Sequence, residues 1–165
     1  MTLDQNEICT HFVFGSGKIR ERENDNGDLE IIILPAAFQP HRERNDLSVS
    51  RISDLKLNLD ERSIWFIGKF VEKMRHEASS PSNLYGRGDL RVSQIQELKL
   101  KVHADEPPPR HANITNFPPF SRDKESESFN IQQKLACLAE GFVIPEITYI
   151  LNENVAIRPE FSEFI

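Results

Sequence analysis

The sequence predicts an α+β domain, in which a mixed, mostly antiparallel sheet carries two main helices packed on one face. Short apolar or alternating segments typical of strands come first, an amphipathic helix follows near the middle, and a second helical pattern lies near the end. The regular alternation of strands and helices that a doubly wound parallel fold requires is absent. We expect one domain over residues 1–151, followed by an acidic tail at 152–165.

Three segments have the composition of strands. Residues 10–14 are aromatic and β-branched and run into a glycine-rich turn. Residues 29–34 are almost continuously apolar, which predicts a central strand buried on both faces. Residues 47–52 alternate between apolar and polar side chains, so Ser48 and Ser50 are predicted to point outward from a half-buried strand.

The strongest helical pattern begins at Asp60, a suitable N-cap, and runs to about residue 78. Its apolar residues recur at spacings of three and four, and we expect this helix to form the centre of the core. A short helix is predicted over 92–98 and another helix over 128–142. Residues 79–90 are predicted to end the long helix and form a loop, an extended segment is predicted over 99–103, and 147–151 is a further strand candidate.

A proline-rich stretch separates the short helix from the last one. Residues 105–122 contain five prolines and are predicted to form a long loop without regular structure. Prolines lower the entropic cost of presenting side chains to a partner. The predicted partner-binding residues are Arg110, His111, Asn113 and Phe117. The alternative is a rigid strap that covers the core through Ile114 and Phe117.

A second candidate site could bind an anion. Its predicted residues are Arg42, Arg44, Ser48, Ser50 and Arg51, with His41 or His111 as a general base. Arginines suit this role because several of them can donate charge-assisted hydrogen bonds to one phosphate. In the alternative interpretation the same arginines are neutralised in a solvated loop by nearby carboxylates.

Other catalytic and metal-binding patterns are weak. Residues 14–19 contain two glycines and a lysine but lack the remaining spacing of a phosphate-binding loop. No cysteine or histidine pair has the close spacing of a zinc site, so neither a metal nor a cofactor is predicted. Cys9 and Cys137 are expected to be buried free thiols, and residues 87–89 a surface turn. The sequence leaves open whether the protein is an enzyme.

Charge and hydropathy limit the partners. The net charge of −6 and the pI of about 5.4 disfavour general binding to nucleic acid. No apolar stretch approaches the roughly 20 residues that span a bilayer, and the first seven residues are polar. We therefore expect a soluble, cytoplasmic protein with no membrane partner.

Three short segments together resemble a pattern found in short uncharacterised bacterial proteins. They are residues 47–51 (LSVSR), 86–90 (GRGDL) and 109–114 (PRHANI). The resemblance implies a prokaryotic cytosolic protein and supplies no activity. The functional prediction is a non-catalytic protein-interaction module, an accessory subunit of a bacterial complex. The alternative is a small enzyme or binding domain that acts on a phosphate-bearing ligand, such as a nucleotide or a nucleic-acid end.

Overall fold

A computed structural model describes residues 3–53, 58–80 and 82–143, and this part of the chain contains eight strands and three α-helices. The strands are β1 (Ile8–Phe14), β2 (Ile19–Glu23), β3 (Leu29–Ile33), β4 (Leu47–Ser53), β5 (Leu84–Arg91), β6 (Lys101–Ala104), β7 (His111–Thr115) and β8 (Glu140–Val143). The helices are α1 (Glu61–Glu77), α2 (Val92–Glu97) and α3 (Glu127–Leu138). None of the helices described is long and apolar enough to cross a membrane.

Six strands form the main sheet, in the order β6-β7-β4-β1-β5-β8, while β2 and β3 form a separate hairpin. Every pairing in both sheets is antiparallel. The predicted α+β fold with a mostly antiparallel sheet is therefore confirmed.

Two hydrophobic clusters lie on opposite faces of the main sheet. The larger contains Val13 of β1 and Leu135 of α3, and the smaller contains Phe12 of β1 and Ile64 of α1. Successive residues of a strand point to opposite faces, so β1 is apolar on both. The two long helices consequently pack on different faces, rather than sharing one as expected.

Helix α1 forms where the sequence places it. The side chain of Asp60 accepts a hydrogen bond from the backbone amide of Ser63 at 2.8 Å and caps the first turn. Gly68 lets the helix approach the sheet closely, because a Cβ there would lie 2.8 Å from the ring of Phe12. The helix covers only the smaller cluster, so the expectation that it forms the centre of the core is wrong.

The apolar run at 29–34 does not form a central strand. Strand β3 pairs with β2 alone among the described strands, and Leu29 is 65% exposed. Ile31 and Ile33 instead pack their side chains against the larger cluster. The run is apolar because the hairpin lies over the sheet, and it takes no part in the main ladder.

Strand β5 replaces the loop and surface turn predicted around residues 84–90. It lies between β1 and β8, with Arg87 opposite both Phe12 and Phe142. Gly86 contributes no side chain to the alternating pattern that identifies a strand. A Cβ at Gly86 would collide with the backbone oxygen of Phe142, so this glycine permits β5 and β8 to approach each other closely.

The loop predicted over 105–122 contains a strand of the main sheet. Strand β7 pairs with β4 on one side and with β6 on the other. The prolines lie before and after β7, so they remove no amide from its ladder. Ile114 is fully buried and Phe117 nearly so, which agrees with the strap alternative.

At the C-terminal side, α3 ends at Leu138 and β8 begins at Glu140, so the helix predicted to reach residue 142 is shorter than expected. The amide of Ala139 closes the last turn by donating to the Leu135 carbonyl at 2.9 Å. The short helix predicted near residue 92 is confirmed as α2. The strand predicted at 147–151 and the tail at 152–165 lie outside the described residues.

Candidate functional site

A row of polar residues crosses the main sheet on the face that α1 partly covers. The register places His111 opposite Ser50, Ser50 opposite Thr10, Thr10 opposite Asp89, and Asp89 opposite Glu140. Directly opposite residues on neighbouring strands point to the same face. These five residues, here called the polar row, therefore run across β7, β4, β1, β5 and β8. Each of the three segments that carry the bacterial resemblance contributes one residue to the polar row. These residues are Ser50, Asp89 and His111.

The middle of the polar row is removed from water and its ends are not. Thr10 is fully buried and Ser50 nearly so, whereas the His111 side chain is 21% exposed and Glu140 is exposed. Burial raises the pKa of the Asp89 carboxyl above its ordinary value, while the positive charge of Arg87 opposes that rise. The interior of the row is thus a place where a charged carboxylate is costly.

Arg87 compensates part of that cost and joins α1 to the sheet. Its side chain is 2% exposed, and its two terminal nitrogens donate to the carboxylate of Glu61 at 2.8 and 2.9 Å. Its Nε lies 3.2 Å from Oδ1 of Asp89. The guanidinium carbon is 5.2 Å from the ring centroid of Trp65 and 4.3 Å from that of Phe142. This cation is held by internal partners on several sides.

The opposite end of the row is organised by Asp105. The backbone oxygen of Asp105 lies 2.9 Å from Nδ1 of His111. The carboxylate of Asp105 accepts a hydrogen bond from the side-chain nitrogen Nδ2 of Asn113 at 2.7 Å. A carbonyl oxygen only accepts, so this contact places the ring hydrogen on Nδ1 and leaves Nε2 of the neutral imidazole as an acceptor. The Ser48 hydroxyl makes a longer contact of 3.5 Å with the Asn113 side-chain oxygen.

His111, Asn113 and Ser48 belong to a wider surface, which we call the open polar face. It consists of Ser48, Lys101, His103, His111 and Asn113. Ser48, Lys101 and His103 are exposed and the other two are half-buried. The alternate residues of β4 and β7 point into the larger cluster, which fixes the backbone beneath this surface.

The four predicted partner-binding residues divide into two pairs. His111 and Asn113 lie on the open polar face. Phe117 is only 6% exposed and belongs to the larger cluster, so its ring is not a surface contact. Arg110 has a positive φ of 64° and its guanidinium donates to the backbone oxygen of Arg51 at 3.2 Å. Phe117 and Arg110 thus stabilise the strap, and only His111 and Asn113 remain as surface candidates.

The predicted anion-binding arginines are not brought to one point. Arg44 pairs with Asp46 at 3.2 Å, and the Arg42 guanidinium lies 5.2 Å from the ring of Phe120. His41 accepts a hydrogen bond at Nδ1 from the Arg44 backbone amide at 3.3 Å. Arg44 is therefore paired with a nearby carboxylate, as in the solvated-loop alternative, whereas Arg42 contacts an aromatic ring from a distant segment.

Arg51 is similarly engaged. Its Nε donates to Glu7 at 2.6 Å, and its Nη1 lies 3.6 Å from Glu106. Ser48 and Ser50, by contrast, lie on the same side of β4 as the polar row. Ser48 is exposed there, as the period-two pattern predicts, whereas Ser50 is buried. The structure brings the two serines near His111 and leaves the arginines outside that group.

The remaining candidate ligands and thiols are separated. Among residues 3–53, 58–80 and 82–143, no group of three or more His, Cys, Asp or Glu side chains is placed to hold a metal ion. Burial raises the pKa of the Cys9 thiol to about 12 and lowers the pKa of His11. Both cysteines are free; Cys9 is buried as expected, whereas Cys137 is exposed.

Sequence reasoning missed Thr10, Glu61, Arg87 and Asp105 as members or supports of this site. Arg87 and Asp89 were expected in a surface turn, and the glycines on each side of Arg87 conceal the strand. Asp105 precedes the prolines and acts through residues six and eight positions later. The available signal was the polar alternation of 111–115, which is the pattern of a half-buried strand.

Comparisons with family models, curated proteins and solved structures gave no match.

Proposed function

We propose that the protein is a non-catalytic interaction module, an accessory subunit of a bacterial cytosolic complex, and that its partner protein binds the open polar face. The observation that carries this proposal is the pair of contacts from Asp105 to His111 and Asn113, at 2.9 and 2.7 Å. Two half-exposed side chains are thereby ordered before any partner arrives. Ordering in advance lowers the entropic cost of association.

The chemistry of the face suits a polar segment of a partner. Lys101 and His103 are exposed on the same side of the sheet as Asn113, so cationic and amide donors lie next to one another. The buried residues Ala112 and Ile114 alternate with the face and hold β7 rigid. A rigid surface with donors in fixed positions favours specificity.

The experiment is affinity purification from the native host with mass spectrometry of the co-eluting proteins. We expect the double variant His111→Ala with Asn113→Ala to lose a stoichiometric partner while its melting temperature stays nearly unchanged. The matched control exchanges the same residue types elsewhere, His76→Ala with Asn83→Ala, both of which are exposed. Retention of the partner by the first variant, or its loss from both, contradicts the assignment to this face.

A second function is the binding of a phosphate-bearing ligand, such as a nucleotide or a nucleic-acid end. The orientation of His111 favours it, because Nδ1 is held by Asp105 and Nε2 is the acceptor that a general base requires. Ser50 lies opposite this ring in the register. Anion binding at this end would use the serine hydroxyls as donors, with Nε2 of His111 accepting from a hydroxyl of the ligand, since Arg44 and Arg51 already pair with carboxylates.

A nucleotide panel tests this second function by thermal shift at low salt. We expect stabilisation that is lost in His111→Ala and retained in Arg44→Ala. The absence of any shift across the panel, or equal loss in both variants, contradicts phosphate binding at His111.

A further inference from the structure

Within residues 3–53, 58–80 and 82–143, no strand pairs with the outer edge of β6. Among the described strands β6 pairs only with β7, in the register Lys101 opposite Thr115 through Ala104 opposite Ala112. The next residue continues this register, because the Asp105 amide donates to the His111 carbonyl at 2.9 Å. An open edge can accept another strand through backbone hydrogen bonds.

The direction of the free backbone groups follows from that register. In an antiparallel pair, opposite residues alternate between those that exchange hydrogen bonds and those that do not. Because Asp105 bonds to β7, Lys101 and His103 do the same. Val102 and Ala104 therefore direct their N–H and C=O groups outward, away from β7.

The side chains along this edge have a charge pattern that is complementary to itself. Lys101 precedes the middle of the edge, Asp105 follows it, and both are exposed. In a parallel pairing of two identical edges like charges would meet. In an antiparallel pairing related by a two-fold axis, the basic end of each copy meets the acidic end of the other.

We propose that a second copy of this chain pairs antiparallel with β6, with the two-fold axis between the two His103 residues. In this register Val102 of each copy lies opposite Ala104 of the other, so their outward groups form four backbone hydrogen bonds across the axis. Lys101 lies opposite Asp105 of the other copy on both sides of the axis. The two main sheets then form one continuous sheet.

Lysine on an exposed edge normally opposes unspecific strand addition. Here the same residue selects one pairing, because only the antiparallel register places each Lys101 opposite a carboxylate. Asp105 keeps its carboxylate exposed on this side, with its side chain 61% accessible, while it also orders His111 and Asn113. The pairing shares Lys101 and Asp105 with the face proposed to bind a partner, but it rests on the backbone of the β6 edge and leaves the side chains of His111 and Asn113 unused.

Sedimentation equilibrium of the full chain tests the pairing with charge reversals. Lys101→Glu places a carboxylate opposite Asp105 twice in the dimer, and Asp105→Lys places an ammonium opposite Lys101 twice. From the usual strength of cross-strand charge pairs, we expect each variant alone to raise the dimer dissociation constant about tenfold or more. An equimolar mixture of the two restores opposite charges at both positions of a heterodimer, and we expect its association to return to near that of the wild type.

The control is Lys99→Glu, which makes the same charge change but lies opposite Pro107 of the other copy, where no charge is present. We expect it to leave the dissociation constant within about threefold of the wild type. A wild-type chain that stays monomeric, a mixture that associates no better than its components, or a control that weakens the dimer as strongly as Lys101→Glu overturns the proposal. Loss of the partner protein from the His111 and Asn113 variant, with the dimer intact, separates the two proposals.

Discussion

The contacts of the buried Arg87 predict how much its replacement lowers the free energy of unfolding. Glu61 makes the two shorter hydrogen bonds to the guanidinium, but its side chain is 64% exposed, whereas that of Asp89 is 11% exposed. Water can replace the lost partner of an exposed carboxylate and cannot easily do so for a buried one. Glu61 therefore makes more hydrogen bonds to Arg87 than Asp89 does, but its interaction with Arg87 contributes less to the free energy of unfolding.

Replacing Arg87 by methionine keeps most of the apolar stem and removes the charge. The variant leaves Asp89 buried without its cation and removes the contacts between the guanidinium and the rings of Trp65 and Phe142. Removing one partner of a buried pair costs about 3–5 kcal/mol, and we expect about 3 kcal/mol here because Asp89 can be neutralised by a proton. Glu61→Gln should cost about 1 kcal/mol or less, since most of that side chain is solvated.

The pH dependence follows from the direction of the Asp89 shift. Its pKa is raised in the folded protein, so the folded state binds this proton more tightly than the unfolded state does. The contribution of the group to stability therefore falls as the pH rises from the ordinary value of 3.8 through the raised folded value. Arg87→Met removes the charge that limits the shift, so the deficit of this variant should grow as the pH rises above the ordinary value of 3.8. Adding Asp89→Asn should remove most of that growth.

Urea unfolding followed by the fluorescence of Trp65, the one tryptophan of the chain, measures these free energies. The reasoning is refuted if Arg87→Met and Glu61→Gln destabilise equally, or if the deficit of Arg87→Met is independent of pH.

Two further predictions concern close packing and thiol reactivity. Gly141→Ala should destabilise the protein by about 1–3 kcal/mol, because a Cβ there would lie 2.6 Å from the backbone oxygen of Ile31. The control Gly17→Ala, where a Cβ would have no atom within 4 Å, should change the free energy of unfolding by about 0.5 kcal/mol or less. Urea unfolding of both variants measures these effects, and equal effects would contradict the packing argument. Titration with a thiol reagent at pH 8 should detect one rapidly reacting cysteine, the exposed Cys137, and a second only after unfolding, because burial raises the pKa of Cys9 to about 12; two fast equivalents in the native protein would show that Cys9 is accessible.

The parts of the fold that the sequence predicts are those with a complete local pattern. Helix α1 has an N-cap at Asp60 and a long apolar stripe, and β4 alternates cleanly, so both lie where expected. Strand β5 could not be recognised because Gly86 and Gly88 have no side chains with which to mark the buried face. Neighbouring prolines concealed β7, although none lies within it. The pairing of β5 with β1 and of β7 with β4 joins segments that are distant in the sequence, which local patterns do not reveal.

The candidate site shows the same limit. The sequence grouped Ser48 and Ser50 with His111 in one candidate site and His111 with Asn113 in the other, and the register brings all four residues to one face. The arginines were grouped because they are close in sequence, but each binds a different partner in the fold. The exposure of Phe117 depended on whether its segment was a loop or a strap, which local composition does not determine.

The two ends of the polar row have different roles because their charges are satisfied differently. At the Asp89 end, Arg87 is enclosed by Glu61 and two aromatic rings, so the interactions are internal and stabilise the packing of α1 on the sheet. At the His111 end, the ordering residue is the exposed Asp105, whose backbone oxygen contacts His111 and whose carboxylate accepts from Asn113, and the ordered side chains are partly exposed to solvent. Substitutions at the first end should therefore change stability before they change binding, and those at the second should change binding with little effect on stability. Measuring both quantities for Arg87→Met and His111→Ala tests this division, and a His111→Ala variant that unfolds as readily as Arg87→Met would place the histidine with the structural residues.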